Sequence, residues 1–217
     1  MFKLIIFDMD GLMFDTEGVM CRAFLEVTAE SGYPSTRDQF IGLLGLNSRD
    51  IQKKYRDYYG EDVDAAAIYR ACGDRKMEIL ETEGVPVKKG LSRLLDEIDR
   101  LGIKKAVASS SDLQVIKDNV DRAGFGGRFD LLMSSASARI QRGKPYPDLF
   151  LAVCREFAVK PGEALVLEDS VNGVEAAIAG GIPVIQVPDF VQLPESLKKQ
   201  CLSVVDSLDQ VIPFLCS

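Results

Sequence analysis

Histidine is absent from the 217-residue chain, which removes one of the commonest side chains of zinc sites. Cysteine offers no replacement: Cys21, Cys72, Cys154, Cys201 and Cys216 are scattered and form no C-x-x-C pair. An odd number of dispersed thiols fits a reduced, cytosolic protein better than a disulfide framework. No apolar run approaches the ~20 residues of a membrane span. The opening run, Phe2 to Phe7, is too short for the core of a signal peptide and leads straight into Asp8 and Asp10, so a cytoplasmic location is expected. A basic excess is missing as well. The 33 Asp and Glu outnumber the 26 Lys and Arg, for a formal net charge of −7. This argues against non-specific binding to nucleic acid or to an anionic membrane, both of which need a basic face. A small anionic ligand stays open, because a lysine, a metal ion and backbone N–H groups can make one pocket locally positive.

What is present reads as a globular protein, 47% apolar and 27% charged, with neither a low-complexity segment nor an internal repeat. Length alone allows one large domain or two small ones. Four short apolar runs, Leu4–Phe7, Lys105–Ala108, Leu165–Leu167 and Pro183–Val187, read as buried parallel strands, with Phe129–Met133 as a fifth. Amphipathic stretches lie between them at Leu91–Leu101, Leu113–Ala123, Pro147–Phe157 and Val171–Ala179. Strand alternating with helix predicts a doubly wound parallel sheet. Gly102, Gly124 and Gly180–Gly181 stand where these helices should end. The stretch from Glu17 to Glu83 has helical periodicity and no strand, over Val19–Ser31, Ser35–Gly42, Arg49–Tyr59 and Val63–Glu83. The expected organisation is an α/β core over 1–15 and 85–217 with an all-helical insert over 16–84. The linkers would be Phe14–Thr16 and Gly84–Gly90.

In open α/β sheets, ligands bind beyond the carboxyl ends of the strands. Asp8-Met9-Asp10-Gly11 puts two carboxylates after a buried strand, which is costly unless a cation or chemistry uses them. Hard oxygen ligands of this kind suit Mg²⁺, although an Asx-type turn would place the same residues. Ser109 follows the second strand and can grip a phosphate oxygen beside helix N–H groups. Ser111-x-x-Gln114 fits a capping box. Gly143-Lys144-Pro145 presents a lysine able to neutralise a phosphoryl group, or simply a solvated one. Glu168-Asp169-Ser170 supplies either further metal ligands or a helix N-cap. Phosphoryl transfer needs an in-line nucleophile, cations on the equatorial oxygens and an acid for the leaving group. An aspartate can serve as that nucleophile.

The segments F-D-M-D-G-L-M-F-D-T, A-V-A-S-S-S, G-K-P-Y-P-D-L-F and L-E-D-S-V-N-G-V-E-A-A together resemble the haloacid dehalogenase-like (HAD) superfamily. The resemblance is to the branch of β-phosphoglucomutase and small sugar-phosphate phosphatases, and it spans Phe7 to Ala177. It implies a Rossmann-like core with a helical cap. It also implies Asp8 as nucleophile and Mg²⁺ ligand, with Asp10 as general acid/base bonding Mg²⁺ through its carbonyl. Ser109, Ser110 and Lys144 would bind the phosphoryl group, Asp169 the metal, and Glu168 would support it. The implied substrate is a small phosphorylated metabolite, a sugar or nucleoside monophosphate, handled by a monomer. Dehalogenases of the superfamily lack the second aspartate, so Asp10 and the Glu168–Asp169 pair count against that chemistry. A phosphoglucomutase-type mutase is the alternative activity. Mutases carry a cap histidine where Met20 stands and a lysine near Leu44-Gly45, so hydrolysis is favoured. Glu17, Met20, Arg49 and Lys76 are the cap positions expected to meet substrate. Arg139 replaces an acidic residue five positions before Lys144.

Overall fold

Leu4-Ile5-Ile6-Phe7 has no polar face, and all four side chains are fully buried. A strand with this property belongs inside a parallel sheet covered on both sides. The computed structural model describes residues 1–138 and 140–216, and Arg139 lies outside them. It places these four residues as β1 (Leu4–Phe7). The chain forms two compact units, Met1–Asp15 with Pro86–Ser217, and Thr16–Val85.

The second unit is helical: α1 (Thr16–Glu30), α2 (Arg37–Ile41), α3 (Ser48–Tyr59) and α4 (Ala65–Glu83). Local chemistry sets its boundaries. Thr36 and Gln39 close a capping box on α2, Asn47 accepts the N–H groups of Arg49 and Asp50, and Asp64 accepts that of Ala67. Phe24, Phe40 and Tyr55 form its aromatic centre, with Phe24 to Tyr55 stacked at 5.9 Å.

The first unit continues with α5 (Leu91–Leu101), β2 (Lys104–Ser109), α6 (Leu113–Arg122), β3 (Leu131–Ser134), α7 (Asp148–Glu156), β4 (Ala164–Glu168), α8 (Val171–Ala179), β5 (Val184–Gln186), α9 (Glu195–Lys198) and β6 (Ser203–Val204). The sheet is parallel, in the order β3-β2-β1-β4-β5-β6. Leu91, Leu94, Leu95 and Ile98 bury one face of α5 at helical spacing. Leu149, Phe150 and Val153 of α7 join Leu4, Ile6, Ala106 and Val166 in the core.

Two expectations are corrected, and one strand was not foreseen. The fifth strand is Leu131–Ser134, and Phe129 lies before it with its ring edge-on to Phe7 at 5.7 Å. The edge strand β6 has only two residues, too few for a period to show. The capping box at Ser111 does not form: α6 has Asp112 at its N-cap, with no side-chain bond there. The Ser111 hydroxyl is engaged elsewhere. Among the described residues no helix is long and apolar enough to cross a membrane.

Candidate active site

Register brings the candidate residues together. Phe7 pairs with Val107 on one side and Leu167 on the other. The carboxyl ends of β2, β1 and β4 therefore lie side by side, at the point where strand order reverses. Asp8 follows β1, and its N–H donates to Leu167 O at 3.0 Å. The chain then turns sharply, with Gly11 at φ +83 and its N–H on Phe14 O. A side chain at Gly11 would strike the Asp169 carboxylate. That close approach reveals how near Asp169 sits to the β1 turn.

Lys144 is the centre of the cluster. Its side chain is only 6% exposed. Its Nζ donates to Asp8 Oδ1 at 2.5 Å, Glu168 Oε1 at 2.6 Å and Ala108 O at 3.3 Å. An ammonium has three protons to donate, so its capacity is filled. The Lys144–Pro145 peptide is cis, and the Phe150 ring lies beneath the ammonium at 4.9 Å. Burial alone would lower the Lys144 pKa, but Asp8 and Glu168 overcome it and hold the lysine protonated.

Glu168 is wholly buried. Its second oxygen accepts both the N–H and the hydroxyl of Ser170 at 2.9 Å. Ser170 in turn caps α8 by accepting the Gly173 N–H, so the cap is Ser170 rather than Asp169. Gly173 leaves room for Glu168, since a Cβ there would overlap its carboxylate.

The charge balance at this corner is uneven. Asp8 is 7% exposed and its pKa is pushed up to about 8, first by burial, with Glu168 and Asp10 adding and Lys144 opposing. Asp169 is also raised well above the ordinary range, by burial first and then by Glu168, Asp8 and Asp189. In both, burial is the first cause and the neighbouring carboxylates add to it.

Asp10 accepts the Ser111 hydroxyl at 2.8 Å and, more weakly, that of Ser109 at 3.4 Å. Ser111 N–H closes back on Ser109 Oγ at 3.0 Å, and the buried Ser134 of β3 holds Ser111 O at 2.7 Å. Ser110 is exposed in the same loop. The structure thus gathers Asp8, Asp10, Ser109, Lys144, Glu168 and Asp169. Glu17, Arg49 and Lys76 lie in the helical unit, on α1, α3 and α4; Arg49 is exposed and the other two are half-buried. Ser111, which sequence reasoning assigned to a helix cap, instead bonds Asp10 in this cluster. Asp189, beyond β5, was missed, although the strand-end rule that found Asp8 and Glu168 would also have reached it.

A divalent cation fits this donor set. Among the described residues no three Asp, Glu or Cys side chains converge as a closed metal cage. Mg²⁺ does not need one: it takes one or two carboxylates and keeps several waters or substrate oxygens. Asp8 and Asp169 supply hard carboxylate oxygens beside the β1 turn. The fully buried Gln186 donates to Asp169 O at 3.1 Å, and its Oε1 has no hydrogen-bond partner among the described residues.

Residues 5–187 match the family model of the haloacid dehalogenase-like hydrolases. The chain belongs to that family. Protein CbbY of Cereibacter sphaeroides is 32% identical over 88% of this chain and 86% of its own length. The phosphorylated carbohydrates phosphatase of Thermotoga maritima is 28% identical over 83% and 82%. Among solved structures, CbbY from Rhodobacter sphaeroides in complex with xylulose-(1,5)bisphosphate superposes with a TM-score of 0.76. It is 26% identical and covers 97% of this chain and 96% of that one. The expected α/β fold and membership among the HAD-like phosphatases and hydrolases therefore stand.

Proposed function

We propose that this HAD-like hydrolase is a Mg²⁺-dependent phosphatase of small phosphorylated metabolites, working through an aspartyl-phosphate on Asp8. The observation that carries the reading is the buried Asp8–Lys144–Glu168 chain at the end of adjacent strands, with Asp10 and Ser109 beside it. Sugar phosphates are the favoured class, since one relative is named for phosphorylated carbohydrates; nucleoside monophosphates are the second.

In the first step an Asp8 carboxylate oxygen attacks phosphorus as the ester P–O bond breaks, and Asp10 gives its proton to the leaving oxygen. In the second, Asp10 takes a proton from water, which attacks the aspartyl-phosphate, restores Asp8 and frees inorganic phosphate. Ser109, Ser110 and Lys144 hold the phosphoryl oxygens, Lys144 by giving up its long bond to Ala108 O at 3.3 Å. Mg²⁺ bound by Asp8, Asp169 and the Asp10 carbonyl supplies the remaining neutralisation of phosphoryl charge. Glu168 supports that site by fixing Lys144. The helical unit is proposed as the substrate-selecting cap, with Glu17, Arg49 and Lys76 as its candidate contacts. The lack of any histidine favours transfer to water over transfer between sugar hydroxyls.

A panel of phosphate esters that includes β-glucose 1-phosphate, assayed with Mg²⁺ and with chelator, tests the reading. The expected outcome is free phosphate, released only with the metal. Conversion of β-glucose 1-phosphate to glucose 6-phosphate without phosphate release would overturn it in favour of a mutase.

A further inference from the structure

Asp189 and Lys88 form a second charged pair at the edge of the carboxylate cluster, and the chemistry above does not use it. Lys88 Nζ donates to Asp189 Oδ1 at 2.7 Å and lies 3.7 Å from Asp15 Oδ1. The pair is largely removed from solvent, with side chains 24% and 11% exposed. Its backbone anchor is firm: Lys88 N–H donates to Met13 O and Asp15 N–H to Pro86 O, both at 2.9 Å.

The position of Asp189 is the telling point. A Cβ on Gly11 would lie 3.3 Å from Asp189 Oδ2 while striking Asp169. Two carboxylates therefore flank one glycine of the β1 turn. From β5, the Gln186 amide also reaches Asp169, donating to its backbone carbonyl at 3.1 Å. Like charges this close are costly unless positive charge offsets them. Lys88 supplies that charge to Asp189 through its Oδ1. Mg²⁺ keeps several waters, and a carboxylate just outside the ligand shell accepts hydrogen bonds from such waters.

We propose that Asp189, held by Lys88, is a positioning residue for the divalent cation, raising Mg²⁺ affinity from outside the ligand shell without ligating the metal. This rests on the metal site assigned to Asp8 and Asp169 above.

Titration calorimetry with Mg²⁺ alone tests it on the full chain, comparing wild type with Asp189→Asn, Asp169→Asn, Lys88→Met and the Lys88→Met/Asp189→Asn double variant. Loss of such an outer partner weakens metal binding about 10- to 100-fold, and Asp189→Asn is expected in that range. The double variant should bind as Asp189→Asn does, because Lys88 acts through Asp189. Unchanged Mg²⁺ affinity in folded Asp189→Asn, with binding lost in Asp169→Asn, would overturn the positioning role and leave the metal site intact. Full Mg²⁺ binding by Asp169→Asn, or none by wild type, would overturn both. A double variant weaker than either single would show that Lys88 does not act through Asp189.

Discussion

Asp8 shows most clearly how one residue's chemistry depends on its surroundings. An aspartate at the end of a buried strand is a poor nucleophile while it keeps its proton, and burial with neighbouring carboxylates pushes this one up to about 8. The folded chain thus binds that proton more tightly than the unfolded chain, whose Asp8 titrates near 3.8. The associated stability is full below about pH 4 and is lost as pH rises through about 8. Asp169, raised by burial first and then by Glu168 and Asp8, acts in the same direction. Thermal melts of metal-free protein between pH 4 and pH 8 should show falling stability across that window. Asp8→Asn should flatten the slope, and Mg²⁺ should reduce it by stabilising the ionised carboxylates. A slope identical in wild type and Asp8→Asn would remove Asp8 as its source.

At the scale of elements, the site depends on backbone room as much as on side-chain chemistry. Glu168 can hold Lys144 only because α8 carries glycine at position 173, where a Cβ would meet the Glu168 carboxylate. Gly173→Ala should cost roughly 1–3 kcal/mol, as overpacking of a tight site does. It should also lower phosphatase activity by displacing Lys144, readable from a denaturation curve and a rate at one saturating ester concentration. Wild-type stability and rate in that variant would show that Glu168 is not confined as described. The strands were legible because β1, β2 and β4 are short apolar runs ended by polar residues. The two-residue β6 carries no period, and β3 is displaced because Phe129 packs on Phe7 before the strand begins. Ser111 read as a helix cap because a Ser-x-x-Gln spacing is local. Its actual partner, Asp10, is 101 residues away, and only the sheet register brings them together.

For the whole molecule, the same contrast separates what a chain can disclose from what folding must assemble. Asp8, Asp10, Ser109, Lys144 and the Glu168–Asp169 pair could be read because each ends or follows a strand or sits in a restrained loop. The filling of Lys144 by three acceptors, and the place of Asp189 beside Asp169, are long-range facts that no local pattern carries. Composition contributes as well: with formal charge −7 and no histidine, the proposed chemistry relies on one buried lysine, hydroxyls and a metal to meet an anionic ester. The central claim is covalent catalysis by Asp8. Its most direct test is acid quenching during turnover of a phosphate ester with Mg²⁺, followed by peptide mass spectrometry. The expected result is a phosphoryl adduct on the peptide containing Asp8, absent in Asp8→Asn, whose phosphate release should fall by about 10³-fold or more. An adduct on another residue, or turnover sustained by Asp8→Asn, would contradict it.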